Sequence, residues 1–367
     1  MIKTPYYIFN IGEVKQKINY LREYFPNFPI TYSIKANPFI VKYIEEYVDN
    51  FEVCSPGELE ICIKYNVNPN KIIYSGVMKE YEDILRAVNY GVKIITIESY
   101  HHYELIDKIT KKYSKSINFI IRLTSGNQFG MEESLALDII GKHDNRFMNF
   151  YGFHLYSGTQ KYKEKQYLND FDIIKKLSDW NVENRDLFFE YGPGLPIDYF
   201  SNGDDNAMIK ELSALFEKYH ISFKVGLEFG RFIASSCGEY HTTVKDLKKN
   251  DGINYVILDG GIHHLKYYGQ IMAMQVPVIE QVNNCRDEMI EYCLCGSLCT
   301  VADVLVRNVV LKRICIDDEI VFKKCGAYSM TEGSSLFLSR NLPGIYISVN
   351  DELICCRNQL ATYEMNS

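Results

Sequence analysis

Lys35 stands at the end of an apolar, strand-like run, Ile30 to Ile34, where a cation would not be buried without a purpose. Desolvation in a pocket would lower the pKa of its ammonium group, and the free amine could then attack an aldehyde. Lys35 is therefore a candidate Schiff-base residue for a carbonyl cofactor. The alternative is an ordinary strand-end lysine whose ammonium reaches water.

Two motifs that follow strand-like runs could bind an aromatic ring and a phosphate group. In the first, the imidazole of His154 could lie on a ring while the hydroxyl of Ser157 bonds a phosphate oxygen. In the second, Gly192 and Gly194 flank Pro193 and would let backbone N–H groups approach a phosphate. A core histidine and a tight loop are the structural alternatives.

Glu228 and Arg231 stand three residues apart in Leu227-Glu228-Phe229-Gly230-Arg231, again after an apolar run. The carboxylate could keep a pyridine nitrogen protonated and so deepen an electron sink, and the guanidinium could hold a phosphate through two parallel hydrogen bonds. Together with Lys35 they predict pyridoxal 5'-phosphate as the cofactor. A strand-end salt bridge is the alternative for this pair.

Near the C-terminus, Cys299, Asp303 and Tyr328 offer a thiol, a carboxylate and a phenol, although each could serve structure alone. The 11 cysteines are scattered and odd in number, and a chain of this size does not need disulfides, so reduced thiols are expected. The cluster from Cys293 to Cys299 lacks a second ligand pair at zinc spacing, and no metal site is predicted.

Alternating strands and helices must position the first group of residues. From about residue 28 to 235, short β-rich runs alternate with helical patterns, which is typical of a parallel βα array and favours a closed (β/α)8 barrel over an open sheet. Ser55-Pro56-Gly57-Glu58 predicts a helix start, and Gly91 predicts a helix end. The predicted strands are Ile30 to Ile34, Lys71 to Tyr74, Val92 to Ile97, Ile117 to Leu123, Asn149 to Tyr156, Leu187 to Tyr191 and Phe223 to Glu228.

After about residue 236, β-branched runs follow one another without helices between them, which predicts a mostly antiparallel β domain. The predicted organisation is thus a segment 1–27 that joins the β domain, a cofactor-binding barrel at 28–235 and the C-terminal β domain at 236–367. The predicted strands are Glu239 to Asp246, Tyr255 to Leu258, Val306 to Ile314, Glu319 to Phe322 and Ile345 to Val349.

Composition narrows the class of partner. The 367 residues are 47% hydrophobic and 24% charged, with a net charge of −7 and no basic block, so neither nucleic acid nor an anionic membrane is expected as a partner. No apolar run reaches the roughly 18 residues of a membrane span, and the N-terminus lacks a signal-peptide pattern. A cytoplasmic protein that acts on small molecules is predicted.

The motifs, in this order along nearly the whole chain, resemble those of the fold-type III pyridoxal-phosphate decarboxylases, which include the ornithine/arginine and diaminopimelate decarboxylases. The resemblance implies a barrel plus a β domain in an alanine racemase-like arrangement, and a homodimer with shared active sites. It also implies these roles: Lys35 binds the cofactor covalently, His154 stacks on it, Glu228 meets the pyridine nitrogen, Ser157, Gly192, Gly194, Gly230, Arg231 and Tyr328 lie at the phosphate, and Cys299 of the partner subunit returns a proton to the substrate carbon.

Departures from the family pattern bear on the substrate. Pro193 replaces a glycine and cannot donate an N–H, while Tyr156 and Phe229 stand where the family usually has glycine and proline. Thr300 follows Cys299 where ornithine-type enzymes have aspartate and diaminopimelate-type enzymes glutamate. Because a buried ammonium without a counter-charge is costly, Thr300 argues against a substrate with a free distal amine.

The predicted function is therefore decarboxylation of a conjugated or carrier-bound amino acid in the biosynthesis of a secondary metabolite or siderophore, with His264 and Lys266 as candidate contacts to the conjugate. A diaminopimelate or other basic amino-acid decarboxylase that reads the distal amine through Asp303 remains open. A racemase using the same cofactor and a catalytically silent binding protein are further alternatives.

Overall fold

The computed structural model describes residues 2–181, 186–201, 203–270, 272–282 and 284–367, which form two compact units. The barrel unit comprises Lys17–Pro196 and Asp205–Ile233. The β unit comprises Met1–Gln16, Ile197–Asp204 and Ala234–Ser367. The chain begins with strand β1 (Tyr6–Asn10) and helix α1 (Ile11–Tyr24).

Eight parallel strands of the barrel unit form a closed barrel, which confirms the predicted (β/α)8 fold. Closure rests on pairing of the first strand with the last, because Ile30 to Tyr32 pair with Leu227 to Phe229. The strands are β2 (Ile30–Ser33), β3 (Asn50–Val53), β4 (Ile72–Tyr74), β5 (Ile94–Ile97), β6 (Ile117–Arg122), β7 (Met148–Tyr156), β8 (Phe188–Gly192) and β9 (Lys224–Phe229).

Local signals set the ends of several barrel helices. The Ser55 hydroxyl accepts the Glu58 N–H at 3.1 Å and caps the following helix, whose first residue is Pro56. Gly91 ends another helix with φ of 90°, a left-handed conformation that favours glycine. The helices are α2 (Val41–Ile44), α3 (Pro56–Lys64), α4 (Tyr81–Tyr90), α5 (Tyr100–Tyr113), α6 (Glu133–Lys142), α7 (Lys165–Trp180), α8 (Ala207–Tyr219) and α9 (Arg231–Ala234).

The β unit holds a nine-stranded mixed sheet in which most pairings are antiparallel, as predicted. Strand β1 enters this sheet, pairing in parallel with one strand and antiparallel with another, so the N-terminal segment is part of its core. The further strands are β10 (Gly238–Asn250), β11 (Ile253–Leu258), β12 (Ile279–Gln281), β13 (Met289–Cys295), β14 (Val304–Lys312), β15 (Glu319–Phe322), β16 (Gly344–Val349) and β17 (Glu352–Arg357). Among helices in the described ranges, none has both the length and the apolar character that a bilayer span requires.

Candidate active site

The lysine predicted to carry the chemistry lies at the carboxyl end of β2, in a short 3-10 turn, Ile34–Ala36. Its Nζ donates to Oε2 of Glu52 at 2.5 Å and to Sγ of Cys54 at 3.4 Å. The Lys35 side chain is 38% exposed, whereas that of Glu52 is 3% exposed. The amine is thus held by a buried counter-ion and remains accessible to a ligand from solvent.

A second buried carboxylate, Glu228, lies on the same side of the barrel. Its Oε1 accepts from the Ser33 hydroxyl at 2.7 Å and lies 3.9 Å from Nζ of Lys35, while Oε2 lies 3.2 Å from Nε2 of His154. Burial alone would raise the pKa of Glu228, but the charge of Lys35, the adjacent imidazole of His154 and the hydrogen bond from Ser33 outweigh it and hold that pKa well below the usual range. Glu228 is therefore ionised and suited to hold a cationic ring nitrogen.

The register of the barrel strands brings Lys35, Glu52 and Glu228 close together. Thr31 pairs with Glu228 across β2 and β9, and Ser33 pairs with Glu52 across β2 and β3. Parallel strands place their carboxyl ends on one face of a barrel, where active sites of this fold are found. Side chains far apart in sequence therefore converge at that face.

The predicted phosphate residues in the barrel unit form a tight backbone cradle. Gly194 has φ of 66°, and a Cβ there would lie 2.0 Å from the carbonyl oxygen of Gly158. A Cβ at Gly230 would lie 3.1 Å from those of Ser33 and Ala36, so the end of β9 approaches the turn that carries Lys35. Only small residues allow this backbone approach, which suits a phosphate group.

Arg231 begins α9 beside this cradle, and its Nε donates to Oγ1 of Thr159 at 3.3 Å. The ring of Tyr156 lies against Gly192, because a Cβ at Gly192 would be 2.6 Å from Cδ2 of Tyr156. The tyrosine that departs from the family pattern therefore fills space next to the glycine loop. Burial raises the pKa of Tyr156, so its phenol stays protonated.

In the β unit, Cys299 and Thr300 lie on an exposed turn that joins β13 to β14, and Asp303 ends this turn. Asp303 is buried, and its carboxylate accepts the N–H groups of Ile262 at 2.9 Å and Leu298 at 2.7 Å. A Cβ at Gly261 or Gly296 would collide with this carboxylate. Asp303 therefore holds two loops together, and its role as a substrate contact stays a prediction.

His264, the other predicted substrate contact of the β unit, has its partners within that unit, and its role toward the substrate stays a prediction. Its Nδ1 lies 3.0 Å from the hydroxyl of Tyr240 and its Nε2 lies 2.8 Å from the carbonyl oxygen of Asn341. Both ring nitrogens are thus engaged inside the β unit, and burial lowers the pKa of His264 to about 3. Lys266 pairs with Glu332 at 3.2 Å on the surface.

Tyr328 also lies in the β unit, half-buried and with φ of 65°, and its carbonyl oxygen accepts the N–H groups of Thr331 and Glu332 at 2.9 Å. Its role at the phosphate stays a prediction.

Sequence patterns missed Glu52, Cys54 and Ser33, which contact Lys35 or Glu228. Glu52 lies on β3, the barrel strand that the patterns did not predict. The capping box at Ser55 could have revealed this strand. A helix start in a βα array implies that a strand ends just before it. Within the described ranges, no three His, Cys, Asp or Glu side chains converge as metal ligands would.

The barrel residues fit pyridoxal phosphate. An accessible amine at Lys35, an ionised Glu228 for the ring nitrogen and the glycine cradle with Arg231 for the phosphate lie on one face. His154 is buried against Glu228, at the side where the ring would lie.

Comparison with known proteins agrees with this geometry. A sequence profile of the family described as "Pyridoxal-dependent decarboxylase, pyridoxal binding domain" matches residues 11–235. The 2-[(L-alanin-3-ylcarbamoyl)methyl]-2-hydroxybutanedioate decarboxylase of Staphylococcus aureus is 27% identical, covering 95% of both chains. The diaminopimelate decarboxylase of Campylobacter jejuni is 24% identical over 90% of this chain and 88% of its own.

The L-glutamyl-[BtrI acyl-carrier protein] decarboxylase of Niallia circulans is 25% identical over 93% of this chain and 88% of its own. Among solved structures, a diaminopimelate decarboxylase of Helicobacter pylori complexed with L-lysine superposes with a TM-score of 0.87 at 22% identity, covering 99% of this chain and 96% of that one. This likeness shows the shared fold.

Proposed function

Because this chain belongs to the pyridoxal-dependent decarboxylases, we propose that it decarboxylates an amino acid joined to a larger group, in a biosynthetic pathway. The observation that carries this proposal is the state of Asp303, whose carboxylate is occupied by two backbone N–H groups. Three residues earlier, Thr300 is neutral, and its hydroxyl accepts the N–H of Ala302 at 3.3 Å. The Cys299 turn therefore presents an uncharged side chain at position 300, and the carboxylate of Asp303 is already held by two backbone N–H groups.

Relatives of two kinds bear on the substrate. Two of those named above act on an amino acid that is amide-linked or bound to a carrier protein, by their names, and the third acts on diaminopimelate. Identities of 24–27% do not separate them. The Cys299 turn favours the conjugated class, and diaminopimelate or another basic amino acid is the second candidate because relatives of that class match equally well.

We assign the barrel residues as follows. Lys35 would bind the cofactor covalently, and bound pyridoxal phosphate would supply an electron sink for the electron pair left when carbon dioxide departs. Ionised Glu228 would keep a proton on the ring nitrogen, and the buried imidazole of His154 would lie on the ring and exclude water. Ser157, Gly192, Gly194, Gly230 and Arg231 would hold the phosphate, together with Tyr328 of the β unit.

Cys299 would hold a proton at Sγ for return to the substrate carbon, and we propose that the partner subunit of a homodimer supplies it. The exposed surface of the β unit supports this. Val301, two residues from Cys299, is 98% exposed, and the exposed run Leu336 to Leu338 adds further apolar surface. A subunit interface would cover such exposed apolar side chains. A cytoplasmic location stays a prediction from the sequence.

The test is carbon dioxide release by the cofactor-loaded protein from two sets of substrates. One set holds free lysine, ornithine, arginine and diaminopimelate, and the other holds glutamyl- and citryl-conjugated amino acids. We expect turnover of a conjugate and little turnover of the free diamino acids. Preferential turnover of a free diamino acid would replace the proposal by the second candidate, and no release from either set would favour a racemase or a silent binding protein.

A further inference from the structure

A buried ion pair that none of the predicted motifs contains lies next to Ser157. Nζ of Lys161 is 2.5 Å from Oδ2 of Asp170, and the two side chains are 5% and 2% exposed. The same Nζ donates to Oγ of Ser157 at 2.5 Å. An ammonium this deeply buried is costly unless it is paired and hydrogen-bonded, and both conditions hold here.

Asp170 has more donors than it needs. Its Oδ2 accepts from the Ser157 hydroxyl at 2.8 Å and from the Tyr191 hydroxyl at 2.8 Å, in addition to Lys161. If Ser157 turned its hydroxyl to another acceptor, Lys161 and Tyr191 would still satisfy this oxygen. Ser157 is therefore the donor that can leave at least cost.

Lys161 is also fixed to the glycine loop. Its backbone N–H donates to the carbonyl oxygen of Gly194 at 3.1 Å, and its own carbonyl oxygen accepts from the Tyr167 hydroxyl at 3.0 Å. Tyr191 directly precedes Gly192 on β8. The ion pair thus contacts both the serine side and the glycine side of the phosphate cradle.

The charges near Ser157 suggest what the ion pair of Lys161 and Asp170 does. A phosphate carries up to two negative charges, and a buried carboxylate within hydrogen-bonding distance of its serine ligand would repel it. Pro193 makes the Ser157 hydroxyl more important as a donor to the phosphate, because proline removes one backbone N–H from the loop. A fixed cation beside Asp170 offsets this repulsion and leaves the Ser157 hydroxyl able to serve the phosphate.

We propose that Lys161 is a positioning residue for the cofactor phosphate: it neutralises Asp170 and so allows the Ser157 hydroxyl to turn from that carboxylate to the phosphate. This inference rests on the proposed cofactor site. It predicts that Lys161 matters for the phosphate group and hardly at all for the pyridine ring.

The experiment measures binding of pyridoxal phosphate and of pyridoxal, which lacks the phosphate, to the cofactor-free full chain by absorbance titration. We expect Lys161→Met to weaken pyridoxal phosphate binding by at least about tenfold and pyridoxal binding by less than about threefold. Lys161→Met/Asp170→Asn, which removes both charges, should recover most of the phosphate selectivity. Lys163→Met is the matched control, because Lys163 is exposed in the same loop.

Equal loss of both ligands in Lys161→Met, or no loss, would overturn the inference and leave the cofactor site standing. A wild-type chain that binds neither ligand would instead refute the proposed function. If Lys161→Met does not fold, Asp170→Asn decides, because it removes the repelling charge and should bind pyridoxal phosphate at least as tightly as the wild type. Phosphate-selective weakening in Asp170→Asn would show that the carboxylate does not oppose the phosphate.

Discussion

Nζ of Lys35 lies 2.5 Å from Oε2 of Glu52, a carboxylate that is almost fully buried. An ammonium so close to a buried carboxylate keeps its proton more firmly than one in water. Lys35 must lose that proton before it can attack the aldehyde of the cofactor. We therefore expect Glu52 to slow the first reaction of the Lys35 amine with the cofactor.

Glu52→Gln should make Lys35 react at lower pH, because the neutral amide no longer stabilises the ammonium. We expect cofactor capture to reach half its maximal rate at a lower pH than in the wild type. Capture is followed by the near-visible absorbance of the bound cofactor. Glu60→Gln is the control, because Glu60 is an exposed partner of Arg86. An unchanged or higher midpoint would contradict this role for Glu52.

The same residue shows where prediction from the sequence ends. The barrel strands that were predicted are mostly apolar, such as Ile94–Ile97, and their bounds came within about two residues. Strand β3 reads Asn50-Phe51-Glu52-Val53, and all four residues are buried. Polar side chains at alternate positions normally indicate a solvent-facing side of a strand, but here Asn50 contacts Thr31 on the next strand and Glu52 contacts Lys35. The hydrophobic pattern therefore revealed neither strand β3 nor Glu52, the residue on it that contacts Lys35.

The sequence also did not reveal the hydrogen-bond partners of His264 and Asp303 in the β unit. From the sequence, His264 and Asp303 are polar groups in glycine-rich segments, and such groups are good candidates for binding. In the folded chain, His264 contacts Tyr240 and Asn341. Asp303 accepts the N–H groups of Ile262 and Leu298. These partners lie up to 77 residues away in sequence, and tertiary pairing of this kind leaves no local signal.

The state of His264 predicts how stability depends on pH. Burial, followed by the neighbouring His263, lowers the pKa of His264 from its ordinary 6.5 to about 3. The unfolded chain therefore takes up a proton below about pH 6.5 while the folded chain does not, so this contribution to stability is present above that pH and is lost as the pH falls towards 3.

His264→Gln should remove part of this dependence and also destabilise the protein at neutral pH, because Tyr240 and Asn341 lose an imidazole partner. The free energy of unfolding in urea at pH 7 and pH 5 measures both effects. We expect a smaller difference between the two pH values than in the wild type. The exposed His101 serves as a control through His101→Gln. An equal difference in wild type and His264→Gln would mean that His264 is not held neutral.

Thr300 can be tested by supplying the charge that it lacks. Thr300→Glu places a carboxylate on the Cys299 turn, and we expect measurable carbon dioxide release from free diaminopimelate or lysine, with slower turnover of a conjugate. Thr300→Gln has the same length without the charge and should not gain this activity. If both variants behave alike, charge at position 300 does not select the substrate.

The proposed shared active site makes a prediction about mixtures of inactive proteins. Lys35→Ala and Cys299→Ala should each be nearly inactive alone. If Cys299 acts on the barrel of the partner subunit, a mixed dimer has one intact site, so unfolding and refolding the two variants together should restore up to about a quarter of wild-type carbon dioxide release. Lys35→Ala mixed with Glu228→Gln is the control, because both residues belong to the barrel unit and no intact site can form. No recovery in the test mixture would mean that one chain supplies Lys35 and Cys299 to the same site. Recovery in the control mixture would mean that the regained activity does not come from sharing Cys299 between chains.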